Sequence, residues 1–331
     1  MSQLLAQVFR NQRVESQHRG HLAVVDAAGQ LLAHSGNPEF ATYIRSSAKP
    51  FQIMPLLEDG VDVHFGLDGP ELAVAIASHN GEDRHVQAVQ SLMQKVGLRE
   101  EQLQCAFHRP LHKPSARKWL LEQRPRSPVY NNCSGKHSGM LAVAKFHGWP
   151  LATYLQPEHP LQRRILETVS RFSDVPEAHI GVGVDGCSAP VFYLPVRNMA
   201  LMYARLAKGE LGVSRRVFEL MTTYPEMIAG SERFDTDLMQ ATKGRLVSKV
   251  GAEGIRCVGV RGDRPLGLAL KIEDGTKRAS EAVMLEALVQ LNLITQSERR
   301  QLEPYRRPVI KNHAGLKVGW IAPSFKLTRR R

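Results

Sequence analysis

The chain has 331 residues, 43% of them hydrophobic, which is enough for one large domain or two small ones with a sizeable core and excludes a disordered polypeptide. No stretch approaches about 18 consecutive apolar residues, and residues 1–20 lack an apolar run of signal-peptide length, so the expectation is a soluble, cytoplasmic protein without a membrane partner. The net charge of +12, from 44 basic against 32 acidic residues, invites a phosphate-backbone reading. Against it, the basic residues are spread along the chain with local excess only at 117–126, 299–307 and 326–331. Aromatic residues make up 6%, and none sits in an RNA-binding motif, so no nucleic-acid partner is expected. Cys105, Cys133, Cys187 and Cys257 are widely spaced, which argues against a disulfide framework and for reduced thiols.

In chain order, residues 21–34 read as strand, turn, strand, with Asp26-Ala27-Ala28-Gly29 as the turn. A helix is expected to begin near Ser46, because Pro50 is tolerated best in a first turn, where its missing N–H is not needed. The apolar run 72–77 leads into Ser78-His79-Asn80-Gly81-Glu82. Val86, Val89, Met93 and Val96 recur at helical spacing, and Gly97 offers a stop. Asn131-Asn132-Cys133-Ser134-Gly135-Lys136-His137 runs into an apolar helix at 140–146, and Gly183-Val184-Asp185-Gly186-Cys187 follows a short strand-like run. Residues 196–207 and 282–293 have helical patterns. A late hairpin pairs 255–260 with 266–272 across Arg261-Gly262-Asp263-Arg264-Pro265. Strands at both chain ends around a helical middle predict an α/β fold: an antiparallel sheet built from N- and C-terminal hairpins, with a large helical lobe. No repeat or long linker breaks 1–331, so one domain with two lobes is expected.

Three segments place a serine or cysteine near a lysine: Ser46-Ser47-Ala48-Lys49, Cys133-Ser134-Gly135-Lys136 and Ser248-Lys249. A lysine amine driven toward its neutral form by burial or by a neighbouring cation can accept the proton of a serine hydroxyl, which permits covalent hydrolysis without a catalytic histidine. On a helix, the spacing of Ser46 and Lys49 puts hydroxyl and amine on one face, beside the free N–H groups of the first turn. The same spacing occurs in serine β-lactamases, although the Ser-Asp-Asn and Lys-Thr-Gly partner motifs of those enzymes are missing. The residues alone leave alternatives open. Ser46 also suits a plain helix cap, and a second copy of the spacing, Ser115-Ala116-Arg117-Lys118, lies in a charged, incidental stretch. The segment from Ser78 to Glu82 suits a binding loop or an ordinary turn. Cys133 and Cys187 suit soft metal ligands or small core residues. Cys105 and Cys257 read as core.

These runs, together with Glu15-Ser16-Gln17-His18-Arg19-Gly20, Pro225-Glu226-Met227-Ile228-Ala229-Gly230, Arg233-Phe234-Asp235-Thr236-Asp237 and Ser248-Lys249-Val250-Gly251, resemble the asparaginase II family of rhizobial type in ordered blocks over nearly the whole chain. The resemblance implies a fold similar to serine β-lactamases and bacterial glutaminases, and hydrolysis of L-asparagine to aspartate and ammonia. Position by position, it implies Ser46 with Lys49 and Ser78 with Lys249 as two catalytic pairs. Arg45, His79, Asn80, Glu82 and Asp185 would surround the substrate, and Cys133, Lys136 and Cys187 would hold zinc with water completing the shell. A small-molecule partner, L-asparagine, is expected, and a homodimer is left open. Glutamine or another small amide is the alternative substrate, since one methylene changes selectivity by only about 1–3 kcal/mol. A non-catalytic zinc or nucleic-acid binding protein is the contrasting reading. The basic tail from Leu327 has no counterpart in the family pattern.

Overall fold

Asp26 is the pivot of the first hairpin. Its Oδ1 accepts the N–H groups of Ala28 (3.1 Å) and Gln30 (2.9 Å), so strand Arg13–Asp26 turns back into strand Leu31–Ser35 where the sequence pattern places the turn. The structure is a computed structural model and describes residues 1–330. The late hairpin forms from Ile255–Val260 and Leu266–Ile272, and the helices Asp83–Val96, Val196–Lys208 and Ser280–Gln290 occupy the periodic segments. Gly97, at φ 70°, ends the first of these helices.

By its internal contacts the chain divides into two compact units, Met1–Ser47 with Leu194–Lys208 and the segment from Asp237 on, and Ala48–Tyr193 with Gly209–Thr236. The first unit holds an antiparallel sheet. Its order runs Val309–Lys311, Lys317–Pro323, Gln3–Arg10, Arg13–Asp26, Leu266–Ile272, Ile255–Val260, Leu246–Val250. Strand Arg13–Asp26 can serve so many neighbours because it is 14 residues long: its first part pairs with Gln3–Arg10, and residues 20–26 pair with Leu266–Ile272. Strand Gln3–Arg10 and the C-terminal strands were not predicted. Their register, with Ala6 opposite Pro323 and Phe9 opposite Trp320, joins the chain ends, and local patterning carries no signal for so distant a partner. Strand Thr328–Arg329 pairs with Leu31–Ser35, so the basic tail is partly a sheet edge; its last residue, Arg331, lies outside the described residues.

Helix Val196–Lys208 lies against this sheet at a distance that glycine sets. A Cβ on Gly267 would sit 1.8 Å from the Ala200 carbonyl oxygen and 2.5 Å from the Ala204 nitrogen. Both obstacles are backbone, so relief requires the helix to move off strands packed through Leu268, Leu270 and Val258. Gly267→Ala is therefore expected to destabilise the protein by about 3 kcal/mol, the upper part of the overpacking range, read as a lower urea midpoint with an unchanged slope.

The second unit is mainly helical, with one strand pair, Gly181–Val184 against Pro190–Pro195. Helix Gly69–Ile76 starts in a capping box: Asp68 Oδ1 accepts the Glu71 N–H at 3.1 Å, and Glu71 Oε2 accepts the Asp68 N–H at 2.8 Å. Helix Ser134–Phe146 crosses it closely at Gly135, where a Cβ would meet the Val74 carbonyl oxygen at 2.1 Å. That contact brings the start of one helix to the end of the other, and so sets Cys133 and Lys136 near Ala77 and Ser78. Among the described residues no helix is long and apolar enough to cross a membrane.

Candidate active site

In the first unit, Ser46 lies in a 3₁₀ turn, Arg45–Ala48, and the α-helix begins only at Lys49, with Pro50 in its first turn. The helical segment thus begins near Ser46, where Pro50 places it, but its first turn is 3₁₀ and not α. Arg45 has φ 53°, a left-handed conformation that costs a non-glycine residue about 1–2 kcal/mol and interrupts the helical path immediately before Ser46. The turn is held in place through its neighbour: Ser47 Oγ donates to the Lys249 carbonyl at 2.9 Å, and the Tyr203 hydroxyl donates to the Ser47 carbonyl at 2.8 Å. Lys249 is fully buried on strand Leu246–Val250, and its Nζ donates to the Val250 carbonyl at 3.1 Å. Ser46 itself is half-buried.

In the second unit, Lys49 is 1% exposed, and its Nζ donates to the Ala77 carbonyl (2.6 Å), Ser78 Oγ (3.1 Å) and the Asn132 carbonyl (3.2 Å). The structure thus pairs Lys49 with Ser78, a combination that chain spacing does not reveal. Ala77, at ψ 155°, leaves the helical path and turns Ser78 toward that amine.

The loop after Ser78 is built from its own polar groups. His79 Nδ1 accepts the Gly81 N–H at 3.1 Å, so Nε2 carries the proton and donates to Ser134 Oγ at 2.9 Å, which donates to the Val129 carbonyl. Burial, followed by repulsion from His85, Lys49 and His108, holds the His79 imidazole well below its ordinary pKa and therefore neutral. His85 stacks on it at 5.1 Å and is pushed down to about 4, chiefly by burial. The Asn80 amide donates to Glu82 Oε1 (3.2 Å) and the Ser231 carbonyl (3.0 Å), and its Oδ1 accepts Arg233 Nη1 (2.7 Å). Glu82 accepts the Ser231 N–H (2.7 Å) and hydroxyl (3.0 Å). Burial pushes its carboxyl up, but these bonds outweigh burial and hold it below its ordinary range, ionised. The side chains of His79, Asn80 and Glu82 are therefore committed to protein partners.

Cys133, Lys136 and Cys187 come together in the same unit, all buried. Lys136 Nζ lies 3.0 Å from Cys187 Sγ. The hydrogen bond shared with Cys187 draws the Cys133 thiol well below its ordinary pKa. Burial opposes this, and the Lys49 and Lys136 charges assist it. The same bond and burial push Cys187 up. For Lys136, burial works against the charged amine, and the attraction of Cys187 and Cys133 overcomes it. Two thiol groups and a lysine held toward its charged form thus share protons at one buried point. Among the described residues no group of three or more His, Cys, Asp or Glu side chains is placed to hold a metal; this cluster has two thiols, and its third donor is an amine. Two thiols are soft donors of the kind zinc takes, and the Lys136 amine could join them only on losing its proton to the metal's competition. His137 is buried beside Cys187, which acts on its imidazole, and its Nδ1 is bonded to the Tyr154 hydroxyl at 2.6 Å. Asp185, half-buried, holds its turn by accepting the Gly186 N–H at 2.8 Å, and its charge acts on Lys136.

Sequence reasoning missed several neighbours. Asn131 positions the cysteine turn, its Oδ1 accepting the Cys133 N–H at 2.8 Å and its Nδ2 donating to the Cys105 carbonyl at 2.7 Å. His108 Nε2 accepts the Asn132 N–H at 2.9 Å, next to the carbonyl that receives Lys49. Arg233 opens a block that the resemblance covers without assigning it a role, and Ser231 lies between two such blocks. Their proximity to Asn80 is purely tertiary.

No curated protein shows a significant sequence match to the chain. Among solved structures it is similar to one titled "Crystal Structure Analysis of Mglu", at 13% identity and TM-score 0.37, covering 83% of this chain and 67% of that one. It is also similar to one titled "Crystal structure of Bacillus glutaminase in the presence of 4.3M NaCl", at 12% identity and TM-score 0.38, covering 84% and 92%. Similarity at that level bears on neither substrate nor mechanism. The family profile described as L-asparaginase II matches residues 6–323, so nearly the whole sequence is accounted for, and the chain belongs to the L-asparaginase II family.

Proposed function

We propose that this amidohydrolase acts on L-asparagine, releasing L-aspartate and ammonia through a covalent Ser–Lys mechanism. The observation that carries the reading is the buried Lys49–Ser78 pair, 3.1 Å apart, beside the two thiols and the Lys136 amine in a chain of this family. Ser46 is the nucleophile, presented by the left-handed Arg45 and the anchored Ser47. Lys49 accepts its proton. Attack on the side-chain amide carbon forms an ester, and the C–N bond breaks as Ser78 and Lys249 pass a proton to the departing ammonia. Water then cleaves the ester, which yields aspartate and restores the serine. Arg45 and Asp185 contact the substrate directly, whereas His79, Asn80 and Glu82 shape the loop that faces it.

Cys133, Lys136 and Cys187 would hold zinc. Bound there, zinc supplies a fixed positive charge that orients substrate and loop, a role compatible with a serine nucleophile. Cys133→Ser and Cys187→Ser are expected to weaken zinc binding by about 100-fold each, measured as metal content after dialysis against a chelator. Wild-type metal content in both variants would remove the site.

The functional test is ammonia release from L-asparagine and L-glutamine. The expected kcat/KM favours asparagine by about 10- to 200-fold, the range available to one methylene in a fitted pocket. A preference for glutamine would keep the amidohydrolase and replace its substrate. Turnover of neither amide, together with strongly salt-dependent DNA or RNA binding, would instead support the non-catalytic reading.

A further inference from the structure

We infer that Arg233 is the anchor for the α-carboxylate of the amino-acid amide, an inference that rests on the proposed amidase activity. The argument begins with how the residue is delivered. Gly230, at φ 116°, presses its backbone onto the loop so closely that a Cβ there would lie 2.4 Å from Glu82 Oε1 and 2.6 Å from Asn80 Nδ2. Ser231 is then bound through its N–H and hydroxyl to the Glu82 carboxylate, and through its carbonyl to Asn80. With both Asn80 N–H donors and the Glu82 carboxylate engaged by this segment, Asn80 Oδ1 is left to receive Arg233 Nη1 at 2.7 Å.

The result is a half-buried guanidinium bonded to Asn80, which lies two residues along the loop from Ser78, whose hydroxyl meets Lys49. Among the described residues no carboxylate lies within ion-pair distance of Arg233, and its one side-chain hydrogen bond goes to the neutral Asn80 amide. The nearby anion is unavailable to it, because Glu82 is already bound by Ser231 and Arg84, the latter at 3.0 Å. Elsewhere in this unit arginines meet acids: Arg124 bonds Asp83 at 2.6 Å, and Arg171 bonds Glu58 at 2.6 Å. A guanidinium has five N–H donors in a planar fork that matches a carboxylate, and among the described residues only one of those of Arg233 meets an acceptor. The Arg233 side chain is thus held by a clamp, has no counter-ion among the described residues and borders the Ser78 loop. An amino-acid amide supplies the missing anion in its α-carboxylate.

The test uses ammonia release from L-asparagine and competitive inhibition by two amides that each lack one recognition group: succinamate, without the α-amine, and β-alaninamide, without the α-carboxylate. Arg233→Ala is expected to raise KM for L-asparagine and the inhibition constant of succinamate about 100-fold, leaving the β-alaninamide constant within about threefold. Arg233→Lys keeps the charge but loses the fork, and should fall between. Equal weakening of all three ligands would mean that Arg233 only supports Asn80, and unchanged constants would mean that the carboxylate binds elsewhere; either result overturns the assignment. Failure of the wild type to release ammonia from any of these amides is a different failure. It removes the amidase reading itself, and this inference with it.

Discussion

Ser46→Ala is expected to lower kcat for asparagine by about 10⁴-fold or more, with thermal stability little changed. Removing a nucleophile abolishes the covalent route and leaves only what binding and polarisation provide, and single nucleophile deletions in serine hydrolases cost up to about 10⁶-fold. Stability should hold because the turn is anchored by its neighbour, through the Ser47 hydroxyl on the Lys249 carbonyl and the Tyr203 hydroxyl on the Ser47 carbonyl, and both bonds survive the substitution. The measurements are single-turnover ammonia release and a thermal melt. Activity within about tenfold of wild type would require another nucleophile, and the buried Ser78, bonded to Lys49, would then be the first to test.

Lys49→Met should carry the second large effect, on both activity and stability. Methionine roughly preserves the volume of the lysine stem but removes the amine. Proton transfer from the nucleophile then loses its acceptor, for an expected kcat loss of about 10³-fold. The same amine donates to the Ala77 and Asn132 carbonyls, so two buried acceptors lose their donor, at about 1–3 kcal/mol each. Two readouts separate these roles. Urea unfolding reports the structural loss, whereas partial rescue of kcat by added small amines reports the missing base. A variant that is destabilised but fully active would make Lys49 a strut holding Ala77, Ser78 and Asn132 together.

Much of the fold was legible because its signals are local. The strand pair 255–260 and 266–272 alternates with a turn-rich centre, Val86 to Val96 repeats at helical spacing up to Gly97, and an Asp–Gly turn closes 21–34. Strand Gln3–Arg10 was not legible, because half of its pairing lies with Lys317–Pro323 at the other end of the chain. Nor was the 3₁₀ turn at Ser46, which depends on the left-handed Arg45 and on bonds to Lys249 and Tyr203.

The same division runs through the candidate site. Short-range composition and order determined which residue types could do chemistry here: serines near lysines, thiols in glycine-containing turns, a polar loop after an apolar helix. Tertiary structure decided which of them meet. Lys49 pairs with Ser78 because Gly135 lets two helices touch and Ala77 leaves its helix at that crossing. Cys133 joins Cys187 and Lys136 because the helix starting at Ser134 packs where a strand pair returns the Asp185–Cys187 turn. Arg233 reaches Asn80 through a clamp formed by residues some 150 positions away in the chain. The physical reason is one of range: propensity, capping and periodicity act over a few residues, whereas hydrogen-bond partners and unpaired charges are assigned only when distant segments pack.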